Sequence, residues 1–179
     1  MSESTIPAPT VGATVHHVES DGKAGPALAH GILLGPRTLL VPDPPRTVGD
    51  PWQSLAVRIT VAPDPGDGAE ALRVAGISLA AFATDDVRGA AAFLTLLTPS
   101  RHAPAPGEVT RDRLNDTLRQ YHGDLWAAHA ALGYPVRPPE RATPPEPWWS
   151  DIPVEGFREF DDNWCCLGSN TSCCRELRL

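Results

Sequence analysis

The sequence predicts a mainly β domain of barrel or sandwich type, followed by one amphipathic helix and a proline-rich, largely unstructured carboxy-terminal tail. Three observations carry this reading. Apolar runs of strand length recur between residues 12 and 104, separated by clusters of Gly, Pro and Asp. A sustained 3.6-residue apolar period belongs to residues 108–133. Prolines then crowd residues 134–162, and all four cysteines fall within residues 163–179. Residues 1–11 read as a flexible amino terminus.

The strand candidates, in order, are ATVHHV, GPALAHGILL, RTLLVP, LAVRITVAP, EALRVAGISLAAF and AAAFLTLL. In LAVRITV the apolar residues alternate with Ala, Arg and Thr, as a strand with one buried and one wet face requires. The breaks SDGKAGP, LGPR, PDPPRTVGDP and PDPGDG supply Gly for positive φ and Pro to end pairing. A weak helical period around ISLAAFATDDVRGAAAF is the one competing signal.

Two of these runs carry a resemblance. AHGILLGPRTLLVP is similar to the second and third strands of the amino-terminal barrel of trypsin-like serine proteases, and AAAFLTLLTPS to the strand of that barrel that bears the catalytic aspartate. The resemblance implies a small trypsin-like half-barrel. It does not carry the chemistry over: the place of the family's histidine holds Val41, Pro42 and Asp43, the place of its aspartate holds Ala90, and no Gly-Asp-Ser-Gly-Gly nucleophile turn occurs. A triad needs a nucleophile, a base in reach of it and a group that orients the base. The expectation is a protease-like barrel that is not an enzyme.

The histidines suggest no metal site. His16 and His17 are adjacent and point to opposite faces of a strand. His30 and His102 are isolated, and on one continuous helix His122 and His129 would lie about two turns apart, too far for one ion. No cofactor is expected.

From VTRDRLNDTLRQYHGDLWAAHAALGYP, Leu114, Leu118, Leu125 and Leu132 define the apolar face of the helix. Thr110 is the candidate N-cap, Gly133 the C′ residue and Pro135 the stop. Gly123 offers a break, with Asp124 able to cap a second half-helix. The face would pack on the barrel or meet a partner protein.

The connector YPVRPPERATPPEPWWSDIP favours an extended spacer, because proline lacks an N–H and fixes φ. Trp148 and Trp149 within it would dock on the domain or anchor a partner. Ile152, Val154 and Phe157, with acidic neighbours, form a segment able to add to a partner's sheet edge.

Three chemistries compete for CCLGSNTSCC. In a hairpin, Cys165 would face Cys174 and Cys166 would face Cys173, as two disulfides require. Alternatively Cys165, Cys166, Cys173 and Cys174 would hold a soft metal ion, although adjacent cysteines suit zinc poorly. In the third reading Ser169, Thr171 and Ser172 are dehydrated by a partner enzyme and attacked by the thiols. This last arrangement resembles the core of lanthipeptide-like ribosomal peptide precursors, and implies a leader that engages modifying enzymes, thioether rings in the tail and a processing protease. At about 160 residues the leader would be long for such a precursor.

The formal charge of −7, from 15 basic and 22 acidic residues, offers no footprint for nucleic acid and no polybasic patch for an anionic membrane. MSESTIPAPT lacks the pattern of a secretory signal, and no apolar run approaches the roughly 20 residues of a membrane span. The expected compartment is the cytosol, with export only of a processed tail. The sequence therefore points first to a non-catalytic peptide precursor. The alternative is a degenerate trypsin-like binding or regulatory module with a metal- or redox-active cysteine tail.

Overall fold

Apolar residues on a strand must be covered on every face they occupy, and here two kinds of strand result. The computed structural model describes residues 9–45, 48, 54–62, 69–84, 87–104 and 109–139, without side chains at 79–84, 87, 88 and 111. Strands β1 (Thr10–Val18), β2 (Ala24–Gly35), β3 (Thr38–Pro42), β4 (Leu55–Ala62), β5 (Glu70–Thr84) and β6 (Val87–Leu96) precede helices α1 (Arg111–Gln120) and α2 (Leu125–Ala131). The strands are antiparallel and close into a barrel in the order β1-β2-β3-β6-β5-β4. Closure leaves no free sheet edge to pair with another chain.

Strands β1, β4 and β5 have one dry face. Ala13, Val15, Leu55, Val57, Ile59, Leu72 and Val74 fill the barrel, while Thr14, Arg58 and Arg73 between them point outward. Alternation in the sequence marks this wall.

Residues Ile32–Leu34 of β2, Leu39–Val41 of β3 and Ala91–Leu94 of β6 are covered on both faces. Leu33, Leu39, Val41, Ala92 and Leu94 join the barrel interior. Their neighbours Ile32, Leu34, Leu40, Ala91 and Phe93 face the other way, into a second core with Leu114, Leu118, Leu125, Ala128, Leu132 and Tyr134. GILL and TLLV are therefore continuous apolar runs, as in any strand covered on both sides. The helices supply that cover.

The helix expected over 108–133, with Gly123 as its candidate break, is two helices with a sharp turn. Thr110 caps α1 through Oγ1, which accepts from Arg113 N at 3.2 Å. The Asp124 carboxylate caps α2, accepting from Trp126 N at 3.0 Å and Ala127 N at 3.2 Å. Between them His122 and Gly123 take φ of 53° and 80°, left-handed values that no continuous helix accommodates and that glycine adopts without a Cβ penalty. His122 thus lies in the turn rather than two helical turns from His129.

Two boundaries shift. The segment ISLAAFATDDVRGAAAF is strand in β5 and β6 rather than helix, because its pairing partners run from Ile77 opposite Leu94 to Thr84 opposite Val87. The proline-rich spacer expected from residue 134 begins later. Tyr134 is buried, Val11 N donates to Pro135 O at 2.6 Å, and Val136 forms a parallel bridge with Val11. Barrel pairing already starts at Thr10, within the residues expected to be a flexible terminus. Among the described residues no helix is long and apolar enough to cross a membrane.

Leu39 and Leu40 test the double cover, since both are fully buried but on opposite faces of β3. Leu39→Ala and Leu40→Ala are each expected to lower unfolding free energy by about 2–5 kcal/mol. Arg58→Ala, on the wet wall, is expected to change it by less than about 0.5 kcal/mol. Urea midpoints at constant m-value measure all three, and a near-neutral Leu40→Ala would contradict the second core.

Candidate functional site

Polar groups gather in three places in the described structure: the end of β3, the helix pair, and the opposite end of the barrel. At the end of β3, Asp43 takes φ of 47° and its N–H donates to Ala90 O at 3.0 Å. Asp43 and Ala90, two of the positions at which the resemblance would set a histidine and an aspartate, are therefore adjacent, held by β3–β6 pairing in which Val41 faces Ala92 and Pro42 faces Ala91. They carry a carboxylate and a methyl group. Asp43 keeps an exposed surface, yet flanking protein strips enough water from its carboxyl to raise its pKa, and the negative charge of Asp124 adds to the rise. Among the described residues no imidazole or hydroxyl is bonded to this carboxylate.

Between the helices and the barrel sits His129, 0% exposed. A carbonyl oxygen only accepts, so the 2.7 Å contact to Leu125 O fixes the ring proton on Nδ1. Nε2 then presents a lone pair that meets no hydrogen-bond partner among the described residues, as does the buried Asn115 Oδ1. The ring tilts against Tyr134, with centroids 5.3 Å apart. Burial pushes the His129 pKa down to about 4, against the smaller opposing effect of the Leu125 carbonyl. At neutral pH it is an uncharged core residue, shut away from any substrate.

At the other end of the barrel, Ser100 is nearly buried and donates through Oγ to Glu70 Oε2 at 2.7 Å, while Glu70 Oε1 accepts from Arg101 N at 3.1 Å. The His102 N–H donates to Ser100 Oγ at 3.1 Å, but its ring Nε2 accepts from Arg101 Nε at 3.2 Å. Serine, histidine and glutamate are thus close without forming a relay, because the imidazole faces arginine instead of the hydroxyl. With Ser100 N donating to Pro36 O at 2.6 Å, the group locks the chain after β6 onto the β2–β3 turn. Sequence reasoning did not connect Ser100 to Glu70, since a separation of thirty positions gives no local signal of the contact.

The remaining histidines have structural surroundings. His16 bonds Thr14 Oγ1 at 2.7 Å and Gly25 O at 2.9 Å, and His17 lies 3.4 Å from Ser54 Oγ. His30 and His122 are exposed. No group of three or more His, Cys, Asp or Glu able to hold a metal ion occurs among the described residues.

The residues expected to carry function lie elsewhere in the chain. Trp148, Trp149, Ile152, Val154, Phe157, Cys165, Cys166, Ser169, Thr171, Ser172, Cys173 and Cys174 all fall outside the described residues. Among the described residues that precede them, Arg137 lies over Gly12 and its guanidinium donates to Thr60 Oγ1, so residue 137 sits across β1 and β4. No protein-family model matches this sequence, and no curated protein is similar to it.

His129 gives the domain a defined acid response. Its folded pKa lies below the unfolded value near 6.5, so its contribution is complete above that value and is lost as pH falls toward about 4. The loss is expected to reach about 3 kcal/mol across that window. Denaturant titrations from neutral to acid pH should show it, and His129→Leu should flatten it; an unchanged pH slope in that variant would contradict the assignment.

Proposed function

We propose that the chain is a non-catalytic precursor of a ribosomally synthesised and post-translationally modified peptide: a folded leader domain, a spacer, and a core near Asn163–Leu179 that partner enzymes crosslink. One observation carries the reading. Strand pairing from Thr10 to Leu96 closes the barrel, and the helices with Tyr134 cover its one exposed dry wall, without a cysteine in either core. Cys165, Cys166, Cys173 and Cys174 all follow these residues in the sequence, and on this reading they serve chemistry rather than folding.

That chemistry would proceed in two steps. A partner enzyme activates the hydroxyl of Ser169, Thr171 or Ser172 and removes it with the α-proton as water, leaving a carbon–carbon double bond. A cysteine thiolate adds to the β-carbon, and the α-carbon regains a proton, which closes a thioether ring. Three hydroxyl residues consume at most three of the four thiols. The domain would be what the modifying enzymes and a processing protease recognise, with Trp148, Trp149, Ile152, Val154 and Phe157 as the docking residues nearest the core.

A second reading takes the barrel as a degenerate trypsin-like half-barrel acting as a binding or regulatory module, with the cysteines as a metal or redox element. The contact of Asp43 N with Ala90 O favours the finer fold assignment, because a trypsin-like barrel sets the corresponding positions side by side. Both readings share that barrel and differ in the fate of the tail.

Mass spectrometry of the full chain after co-expression with enzymes encoded beside it separates them. The expected product has lost one water for each modified hydroxyl residue and one free thiol for each ring. Four ordinary thiols and an unchanged mass would refute the precursor reading. Zinc or copper copurifying in fixed stoichiometry, and lost on Cys165→Ser, would establish the second.

A further inference from the structure

Register sorts the side chains of β4 and β5 into a buried and an outer set, and the outer set is basic. Arg58 is opposite Ala71 and Arg73 is opposite Ala56, so the two exposed arginines are diagonal neighbours on one face, roughly 7–8 Å apart at the backbone. Arg137 joins them, its guanidinium on Thr60, two residues along β4 from Arg58. Beyond Arg73, the Leu97 N–H donates to Arg73 O at 2.9 Å, and Leu97 O accepts from Arg37 Nη1 at 2.8 Å. Leu97 itself is 57% exposed.

Arg37 and Arg73 thus border an exposed leucine, and Arg58 and Arg137 continue the basic face away from it along β4. Among the described residues none of the four pairs with a carboxylate. Strands β1 and β4 contain no acidic residue, and the one acid of β5, Glu70, is engaged by Ser100 and the Arg101 N–H. An unpaired basic face is unexpected in a chain of net charge −7.

We propose that this face is the docking surface for an acidic segment of the same chain, Glu146–Asp162. The segment EPWWSDIPVEGFREFDD holds six acids against the single base Arg158, and interleaves them with Ile152, Val154 and Phe157, apolar residues of the kind Leu97 would meet. It also starts close by. Arg137, the anchor of the departing chain, is already on this face, and six residues separate Pro139 from Glu146. In extended form they span roughly 20 Å at about 3.1 Å per residue, whereas Thr60 and Leu97 are separated by two strand spacings of about 4.8 Å each and by about four residues along the strands, roughly 16 Å in all.

Individual exposed ion pairs are weak, but tethering replaces a bimolecular encounter by an effective concentration near the millimolar range. Docking of this kind is labile to salt. It would hold the residues that follow, Asn163–Leu179, at the end of the barrel that carries the Ser100–Glu70 lock. The inference concerns contacts within the chain and goes beyond the precursor reading, so it stands or falls without any ring forming on the cysteines.

Modification by an arginine-selective dicarbonyl reagent, mapped by peptide mass spectrometry on the full chain, tests it. At low ionic strength Arg58 and Arg73 are expected to react about threefold or more slowly than in roughly 0.5 M salt. Neutralising Asp151, Glu155, Glu159, Asp161 and Asp162 to Asn or Gln should abolish that protection, while far-UV circular dichroism confirms that the barrel is intact. Asp64→Asn with Asp67→Asn, in the β4–β5 connection, should leave protection in place. Equal rates in the native and neutralised chains would overturn the proposal, as would protection lost with Asp64 and Asp67. Protection that grows with protein concentration would also overturn it, by assigning the face to the tail of a second copy.

Discussion

The β2–β3–β6 wall of the barrel is apolar on both faces, and the rest of the structure follows from the need to cover it. Its inner face is satisfied when six strands close on one another around Leu33, Leu39, Val41 and Leu94. The outer face cannot be, because Ile32, Leu34, Leu40 and Ala91 remain directed away from the barrel. Exposing them would forgo a transfer free energy of about 1.5–3 kcal/mol for each large side chain. Two helices and Tyr134 therefore cover them, which sets where the chain must run after the barrel. From α2 it returns to β1, and Pro135 and Val136 add a last pair of backbone contacts to Val11.

This asymmetry divides the molecule's chemistry. The covered wall owns the buried polar atoms: His129 and Asn115 lie among leucines, where an unpaired lone pair or a charge is costly. The wet wall owns the arginines, because outward positions of β4 and β5 face solvent and tolerate a permanent charge. At the end of β3, Asp43 and Asp124 are near enough for mutual repulsion. A barrel with one face sealed by helices and another left basic suits the docking proposed for the chain's acidic segment, whose preceding residue Arg137 lies on the basic side.

How much of this could be read in advance varied with the range of the interaction concerned. All six strands stood in the sequence as apolar runs between turn residues, and the caps Thr110 and Asp124 are local signals. The break at His122 and Gly123 was legible only as a candidate, since glycine permits positive φ without requiring it. The capture of Tyr134–Arg137 was not legible: prolines at 135, 138 and 139 suggest a spacer, and nothing local says that Val136 lies beside Val11. Ser100 and Glu70 were missed for the same reason. Their contact depends on where two strand ends meet.

By itself the sequence determined a β domain followed by helix, the absence of cysteine from that domain, and the concentration of thiols and hydroxyls in CCLGSNTSCC. These are properties of residue type and short-range spacing, which composition and periodicity record directly. The tertiary structure decided that the strands close in the order β1-β2-β3-β6-β5-β4, that Asp43 and Ala90 are neighbours, that Arg58 and Arg73 share one outer face, and that Arg37 and Arg73 meet Leu97. Those juxtapositions are set by strand register and barrel closure, which join residues tens of positions apart and leave no trace in any local window.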